Sequence, residues 1–124
     1  MKKLYVMLAL FSVPVAFFFG CKHDTELPEH EVSFSQEVLP ILQMGCTHAG
    51  CHGDSLNQMP SLTSYQGVME FGDIKAGEPY ESELYKRIIE TDDAERMPRP
   101  PYVPVTDKNR KLIYIWIAQG AKDN

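Results

Sequence analysis

The segment MGCTHAGCHGDS, residues 44–55, holds two cysteines and two histidines within seven positions. Sulfur and imidazole ligands this close together are compatible with three chemistries. The first is a disulfide between Cys46 and Cys51, and the second is covalent attachment of haem. The third is a metal site, which would use Cys46, His48, Cys51 and His52.

The second histidine helps to discriminate among these chemistries. In the usual haem attachment signature, C-x-x-C-H, two thiols add to the haem vinyl groups and the adjoining histidine ligates the iron. His52 directly follows Cys51, although four residues rather than two separate the cysteines. Gly50 would ease the longer loop. A disulfide needs no such histidine, and structural zinc sites usually take a second ligand pair from a distant segment. The motif favours haem and leaves the other two chemistries open.

The methionines beyond residue 20 are candidates for a second axial ligand. Met44 and Met69 fall within helical patterns, so we expect them to fill gaps in the core. Met59 and Met97 each precede a proline. Met97 lies in RMPRPP (96–101), where regular helix is excluded and proline stiffening would hold a thioether at low entropic cost. Met97 is the predicted ligand, and Met59 is the alternative.

The N-terminal residues have the parts of an export signal. Two lysines precede an apolar run that ends at Gly20, and Cys21 follows it. FFGC at 18–21 resembles a bacterial lipoprotein signal, in which the cysteine is lipidated. An uncleaved membrane anchor is the alternative, but the run contains Pro14 and is short of the roughly 20 residues that a spanning helix needs. The predicted organisation is a signal peptide at 1–20, a flexible acidic tether at 21–32 and one domain at 33–124, held outside the cytoplasm at a membrane.

Charge and cysteine number restrict the partners. The chain has 12 basic residues, two of them in the predicted signal, and 17 acidic ones, so the mature net charge would be −7. This balance argues against a nucleic-acid surface, which needs basic side chains. Three cysteines are an odd number for an exported protein, but lipidation of Cys21 would leave Cys46 and Cys51 as a pair. The acidic segment 90–95 is predicted to be a solvated face, with a docking patch for a basic partner as its functional alternative.

Helical periodicity predicts four short helices. The first begins at the Ser33–Gln36 capping box, the second covers 63–69 and the third covers 81–90. The fourth extends from a Thr106 cap to a stop at Gly120. Pro40 lies inside the first helix, so this helix is expected either to be kinked there or to start later than Ser33. The last should be the main packing element, since it carries Leu112, Ile113, Ile115, Trp116 and Ile117. No strand-like alternation is present, so the predicted class is all-α with long loops.

Several segments together resemble a family of small bacterial c-type cytochromes, the planctomycete-type cytochrome c domain. The shared elements are VLPIL before the cysteines, SY, GEPYESELY, RMP and WIAQGA, in the family's order over about 34–121. The resemblance implies a cytochrome c-like fold around one covalent haem c, attached at Cys46 and Cys51. His52 and Met97 would be the axial ligands. The longer cysteine gap departs from the family pattern.

The function implied is single-electron transfer to or from a redox protein, such as an oxidase, dehydrogenase or reductase, without enzymatic activity. Two alternatives are a peroxidase-like haem enzyme and a haem-free lipoprotein binding module with a Cys46–Cys51 disulfide. His48 is expected to be a solvated side chain, not a ligand. An apolar shell is expected around the haem from Phe34, Leu42, Tyr85, Ile89 and Trp116.

Overall fold

The computed structural model describes residues 30–53 and 61–124, and all regular structure in these ranges is helical. The elements are a π-helical turn at Phe34–Val38, α1 at Leu39–Cys46, α2 at Tyr65–Phe71, a 3-10 turn at Pro79–Glu81, α3 at Glu83–Ile89 and α4 at Asp107–Ala118. The predicted all-α class is confirmed for this part of the chain. Within it, no helix is long and apolar enough to cross a membrane. The predicted signal, Cys21 and Met59 lie outside the described residues.

The first helix begins at the predicted cap, but its first turn is π-helical rather than α-helical. The Ser33 hydroxyl accepts a hydrogen bond from the Gln36 amide (3.3 Å), and the Glu37 carboxylate accepts one from the Ser33 amide (2.8 Å). The reciprocal partner is therefore Glu37 rather than Gln36. The Val38 amide reaches back five residues to the Ser33 carbonyl, so the first turn is one residue wider than an α-turn. Pro40 then stands in the first turn of α1, where a missing amide proton is tolerated.

α4 is the central packing element, as predicted. The Thr106 hydroxyl accepts a hydrogen bond from the Asn109 amide (3.3 Å), and Gly120 follows the helix in the left-handed region at φ +104°. The helix packs against the π-helical turn, the 3-10 turn and α3. Its buried residues are Ile113, Ile115, Trp116 and Ile117. Burial of this apolar stripe supplies the main hydrophobic driving force in the described part of the chain.

The end of the predicted tether belongs to the folded domain. Val32 is completely buried, and its amide donates a hydrogen bond to the Gln119 side chain (2.8 Å). The Asn124 side-chain carbonyl accepts a hydrogen bond from the Phe34 amide (2.8 Å). Lys122 forms an ion pair with Glu31. The domain therefore begins before Ser33, because the segment at 30–32 packs against the residues that follow α4.

The two methionines that were expected in the core differ in burial. Met69 is partly buried against the core, whereas the Met44 side chain is 74% exposed. The buried residues of α1 are Ile41, Leu42 and Cys46. At 100° per residue, Met44 lies more than a quarter turn from the centre of that stripe. The prediction of a core role for Met44 is wrong for this reason.

Candidate functional site

A cavity of about 220 Å³ lies between the cysteine-rich segment and the proline-rich loop. It is lined by Gly45, Cys46, His48, Gly50, Cys51, His52, Leu62, Met97, Pro98, Arg99, Pro100 and Tyr102. The four side chains that were predicted to attach and ligate a haem thus line the same cavity. Two segments far apart in sequence supply them: the thiols and the imidazole come from the cysteine-rich segment, and Met97 comes from the proline-rich loop.

The four-residue cysteine gap is accommodated by a compact turn. The Cys51 amide donates to the His48 carbonyl (2.9 Å), and Gly50 adopts the left-handed conformation at φ +79°. The His52 amide then donates back to the Cys46 carbonyl (3.2 Å). The turn absorbs the two extra residues, so the second cysteine and its histidine fold back onto the end of α1. The backbone of His52 is also fixed from the other side, because its carbonyl accepts a hydrogen bond from the Leu62 amide (2.9 Å).

Gly53 is required for this closure. A Cβ atom at Gly53 would lie 2.5 Å from the Thr47 carbonyl oxygen and 2.9 Å from the Thr47 Cβ, whereas a Cβ at Gly45 would contact nothing within 4 Å. If the motif attaches haem as predicted, Gly53→Ala should force the turn open and lower the yield of covalent haem several-fold, measured as haem per chain by mass spectrometry. Gly45→Ala is the matched control, since Gly45 lines the same cavity, and should load normally. Equal loading of the two variants would contradict the role of the turn.

Both cysteines of the motif are free thiols, and they differ in exposure. Cys46 is buried at the end of α1, and Cys51 is half-buried. Burial, and to a smaller extent the nearby Cys51, raise the pKa of the Cys46 thiol to about 11. At neutral pH the Cys46 side chain is therefore a neutral thiol. It is not preset as a nucleophile of the kind that catalytic cysteines provide.

This pKa predicts slow alkylation of Cys46. In a chain produced without haem attachment, Cys46 should react with iodoacetamide at pH 8 about 100-fold more slowly than when the chain is unfolded in urea. The reason is that the thiolate fraction falls tenfold for each unit that the pKa rises. The native rate should rise about tenfold per pH unit until the pH approaches 11. Peptide mass spectrometry of the modified cysteine measures both rates, and a native rate within about threefold of the urea rate would contradict the prediction.

Met97 is half-buried in a loop that is hydrogen-bonded on both sides of it. Its amide donates to the carbonyl of Arg87 in α3 (2.9 Å), which ties the loop to a helix. Pro98, the next residue, is buried, while Arg99 and Pro100 are exposed. The expectation that the prolines leave this segment without regular helix or strand is confirmed.

The His48 side chain is less solvated than expected. It is half-buried, and its ring stacks on that of Tyr102 with a centroid distance of 4.3 Å and an interplanar angle of 6°. This contact joins the cysteine-rich segment to the proline-rich loop across the cavity. The extra residues of the cysteine gap thereby contribute a side chain to the closure of the site.

The residues predicted to form an apolar shell around a haem do not line this cavity. Phe34, Leu42 and Trp116 are buried in the core, and none of the five predicted shell residues lines the cavity. The apolar walls are instead formed by Leu62, Pro98 and Tyr102. Helical periodicity identified most of these five residues as core positions but could not show that loop residues face the site. The proline-rich composition of the Met97 segment was the only sequence signal for Pro98.

A larger cleft of about 460 Å³ lies between α3 and the first turns of α4. Its lining residues are Tyr80, Tyr85, Ile89, Asp107, Arg110, Lys111 and Tyr114. The three tyrosine rings contact one another at centroid distances of 5.5–5.6 Å. The lining of this cleft includes no thiol, imidazole or thioether, whereas the smaller cavity supplies all three.

The residue chemistry of the smaller cavity fits a c-type haem. It supplies two free thiols, an imidazole and a thioether, the donor set of a covalently attached haem with two axial ligands. Its volume is below the roughly 300–1,000 Å³ of most small-molecule sites, so the described residues enclose only part of such a group. Among residues 30–53 and 61–124, no group of three or more His, Cys, Asp or Glu side chains is arranged to hold a metal ion by itself.

Comparisons with protein-family models, with curated proteins and with solved structures gave no match to this chain. The likeness to small c-type cytochromes rests on the sequence motifs and stays a prediction.

Proposed function

We propose that this chain is a monohaem c-type cytochrome that transfers single electrons outside the cytoplasm, anchored to a membrane by a lipid on Cys21. The observation that supports the haem proposal is the convergence of Cys46, Cys51, His52 and Met97 on one cavity. The sequence motif contains the first three, but Met97 comes from a loop beyond α3. A disulfide-bonded binding module would not require a thioether there.

Each residue has a distinct role in this proposal. A bound haem c supplies one-electron exchange between ferrous and ferric iron. Cys46 and Cys51 would hold it through thioether bonds, formed when each thiol adds across a vinyl group. His52 and Met97 would be its axial ligands and would leave no coordination position for O₂ or peroxide. A thioether ligand favours the ferrous state and raises the reduction potential. These roles favour electron transfer over peroxidase chemistry.

Exposed apolar side chains adjoin the cavity lining and support contact with a redox partner. Met44 precedes Gly45 of the lining and is 74% exposed, and Val103 follows Tyr102 and is 81% exposed. Tyr102 itself is 40% exposed. Exposed apolar side chains beside a cofactor allow close approach of a partner protein at a small desolvation cost. The partner would be an oxidase, dehydrogenase or reductase at the same membrane.

Covalent haem is tested by expression in a bacterium with a cytochrome c maturation system, followed by denaturing electrophoresis and haem staining. The full-length chain should stain, and its mass should include one haem. The double variant Cys46→Ala/Cys51→Ala should not stain. A Cys21→Ala variant should still stain but should leave the membrane fraction.

Absence of haem from the wild-type chain in that host would overturn the proposed function. If such a chain also contains an oxidised Cys46–Cys51 pair, the haem-free binding module is the better description. If the chain stains but its ferric form binds peroxide and oxidises a peroxidase dye at a high rate, the peroxidase-like enzyme replaces the electron carrier.

A further inference from the structure

The side chain of Arg96, the residue before Met97, is turned inward. It is only 11% exposed, less than that of any other arginine in an ion pair of the described residues. Its Nε donates to Asp93 Oδ1 (2.5 Å). One terminal nitrogen, Nη1, donates to the carbonyl oxygens of Pro98 and of Tyr102, the latter at 3.3 Å. An arginine buried to this degree in a polar loop requires an explanation beyond solubility.

These three acceptors are distributed along the loop on both sides of Met97. We call residues 92–102 the Met97 loop. Asp93 lies before Met97, Pro98 directly follows it, and Tyr102 ends the loop. A single planar guanidinium therefore joins the beginning, middle and end of the segment. Because the fork of an arginine is rigid, such bonds fix the relative positions of the acceptors better than a flexible cation would.

The bond to the Pro98 carbonyl contributes more to this closure than the ion pair does. The Asp93 side chain is 75% exposed, and ion pairs with solvent access contribute little to stability. The Pro98 carbonyl belongs to a buried residue, and hydrogen bonds from a charged donor to such groups are stronger than neutral ones. Loss of the guanidinium would leave these carbonyls without their donor.

We propose that Arg96 is the positioning residue for Met97: its hydrogen bonds to Pro98 and Tyr102 keep the Met97 loop closed, with the thioether at the cavity. This inference rests on the proposed function, since Met97 needs a fixed position only if it binds iron. The Met97 amide bond to the Arg87 carbonyl then connects the closed loop to α3, and the Tyr102–His48 stack connects it to the cysteine-rich segment.

The test compares Arg96→Gln, Arg96→Lys and Arg110→Gln with the wild-type chain. Arg110 is the matched control, because it also pairs with an aspartate three residues earlier, Asp107, but lies on α4. The first readout is the affinity of the ferric haem protein for added imidazole, which competes with Met97. We expect about tenfold tighter imidazole binding in Arg96→Gln, because loop opening removes a competing ligand. The imidazole affinity of Arg96→Lys should fall between those of Arg96→Gln and the wild type, and the affinity of Arg110→Gln should match the wild type.

The second readout does not depend on haem. Amide hydrogen exchange at Met97 and Tyr102 in the full chain should accelerate about tenfold in Arg96→Gln and stay unchanged in Arg110→Gln. Unchanged exchange together with unchanged imidazole affinity in a haem-loaded Arg96→Gln chain would overturn the positioning role alone. A wild-type chain without covalent haem would overturn the proposed function and, with it, the ligand role of the loop. A global loss of exchange protection in Arg96→Lys and Arg96→Gln alike would also overturn the inference, by showing that Arg96 maintains the whole fold.

Discussion

A Met97→Ala chain is expected to keep its covalent haem while its ferric spectrum changes from low-spin to high-spin. The thiol attachment sites are unaffected, because Cys46 and Cys51 belong to the cysteine-rich segment and not to the Met97 loop. The weak red absorption band of a methionine-ligated ferric haem should disappear. The reduction potential should fall by a sizeable part of the roughly 0.8 V over which axial ligands tune haem proteins, because a thioether stabilises the ferrous form. Optical spectroscopy and redox titration measure both changes.

Two control variants make the Met97→Ala experiment specific. Met44→Ala removes a side chain that is 74% exposed and should change neither the spectrum nor the potential. Met59, the alternative ligand predicted from the sequence, lies outside the described residues. Met59→Ala should also change neither the spectrum nor the potential. If Met59→Ala gives the high-spin form and Met97→Ala does not, the ligand assignment is wrong and Met97 is only a wall of the cavity.

The helix ends were predictable because their determinants are local. Thr106 caps α4 through an amide three residues away, and Gly120 ends it with a left-handed conformation. Both signals lie within one turn of the boundary that they set. The Ser33 cap was also predicted, but its pairing with Glu37 was not. The sequence pattern assumes an α-helical first turn, and the π-helical winding moves the reciprocal partner by one residue.

The lining of the cavity was less predictable because it depends on contacts between loops. His48 and Tyr102 are far apart in sequence and lie outside regular helices, so no periodicity relates them. The role of the Arg96 side chain was not predictable for the same reason. Two of its acceptors are backbone carbonyls, and only the folded loop defines their positions. The candidate iron ligands could be proposed because cysteine, histidine and methionine have restricted chemistry. The side chains that hold them in place have no comparable signature.

Replacement of Trp116 by alanine should strongly destabilise the domain. The Trp116 side chain is 1% exposed, and its ring lies 5.3 Å from that of Phe34. Its indole nitrogen donates to the Lys122 carbonyl (2.9 Å), which holds the chain after α4 against the core. Truncation of a buried tryptophan costs about 3–5 kcal/mol, and the total stability of a small domain is about 5–15 kcal/mol. A large fraction of the stability therefore depends on this residue.

Urea unfolding followed by far-ultraviolet circular dichroism measures this loss; tryptophan fluorescence cannot, since Trp116 is the only tryptophan in the chain. All variants must carry the same haem content, because a covalent cofactor would stabilise the folded state by itself. Trp116→Phe keeps an aromatic ring but loses the bond to Lys122, and should cost about 1–3 kcal/mol. Met44→Ala should stay within about 0.5 kcal/mol of the wild type. If Trp116→Ala unfolds at the same urea concentration as Met44→Ala, the packing of α4 on the π-helical turn does not hold the domain together.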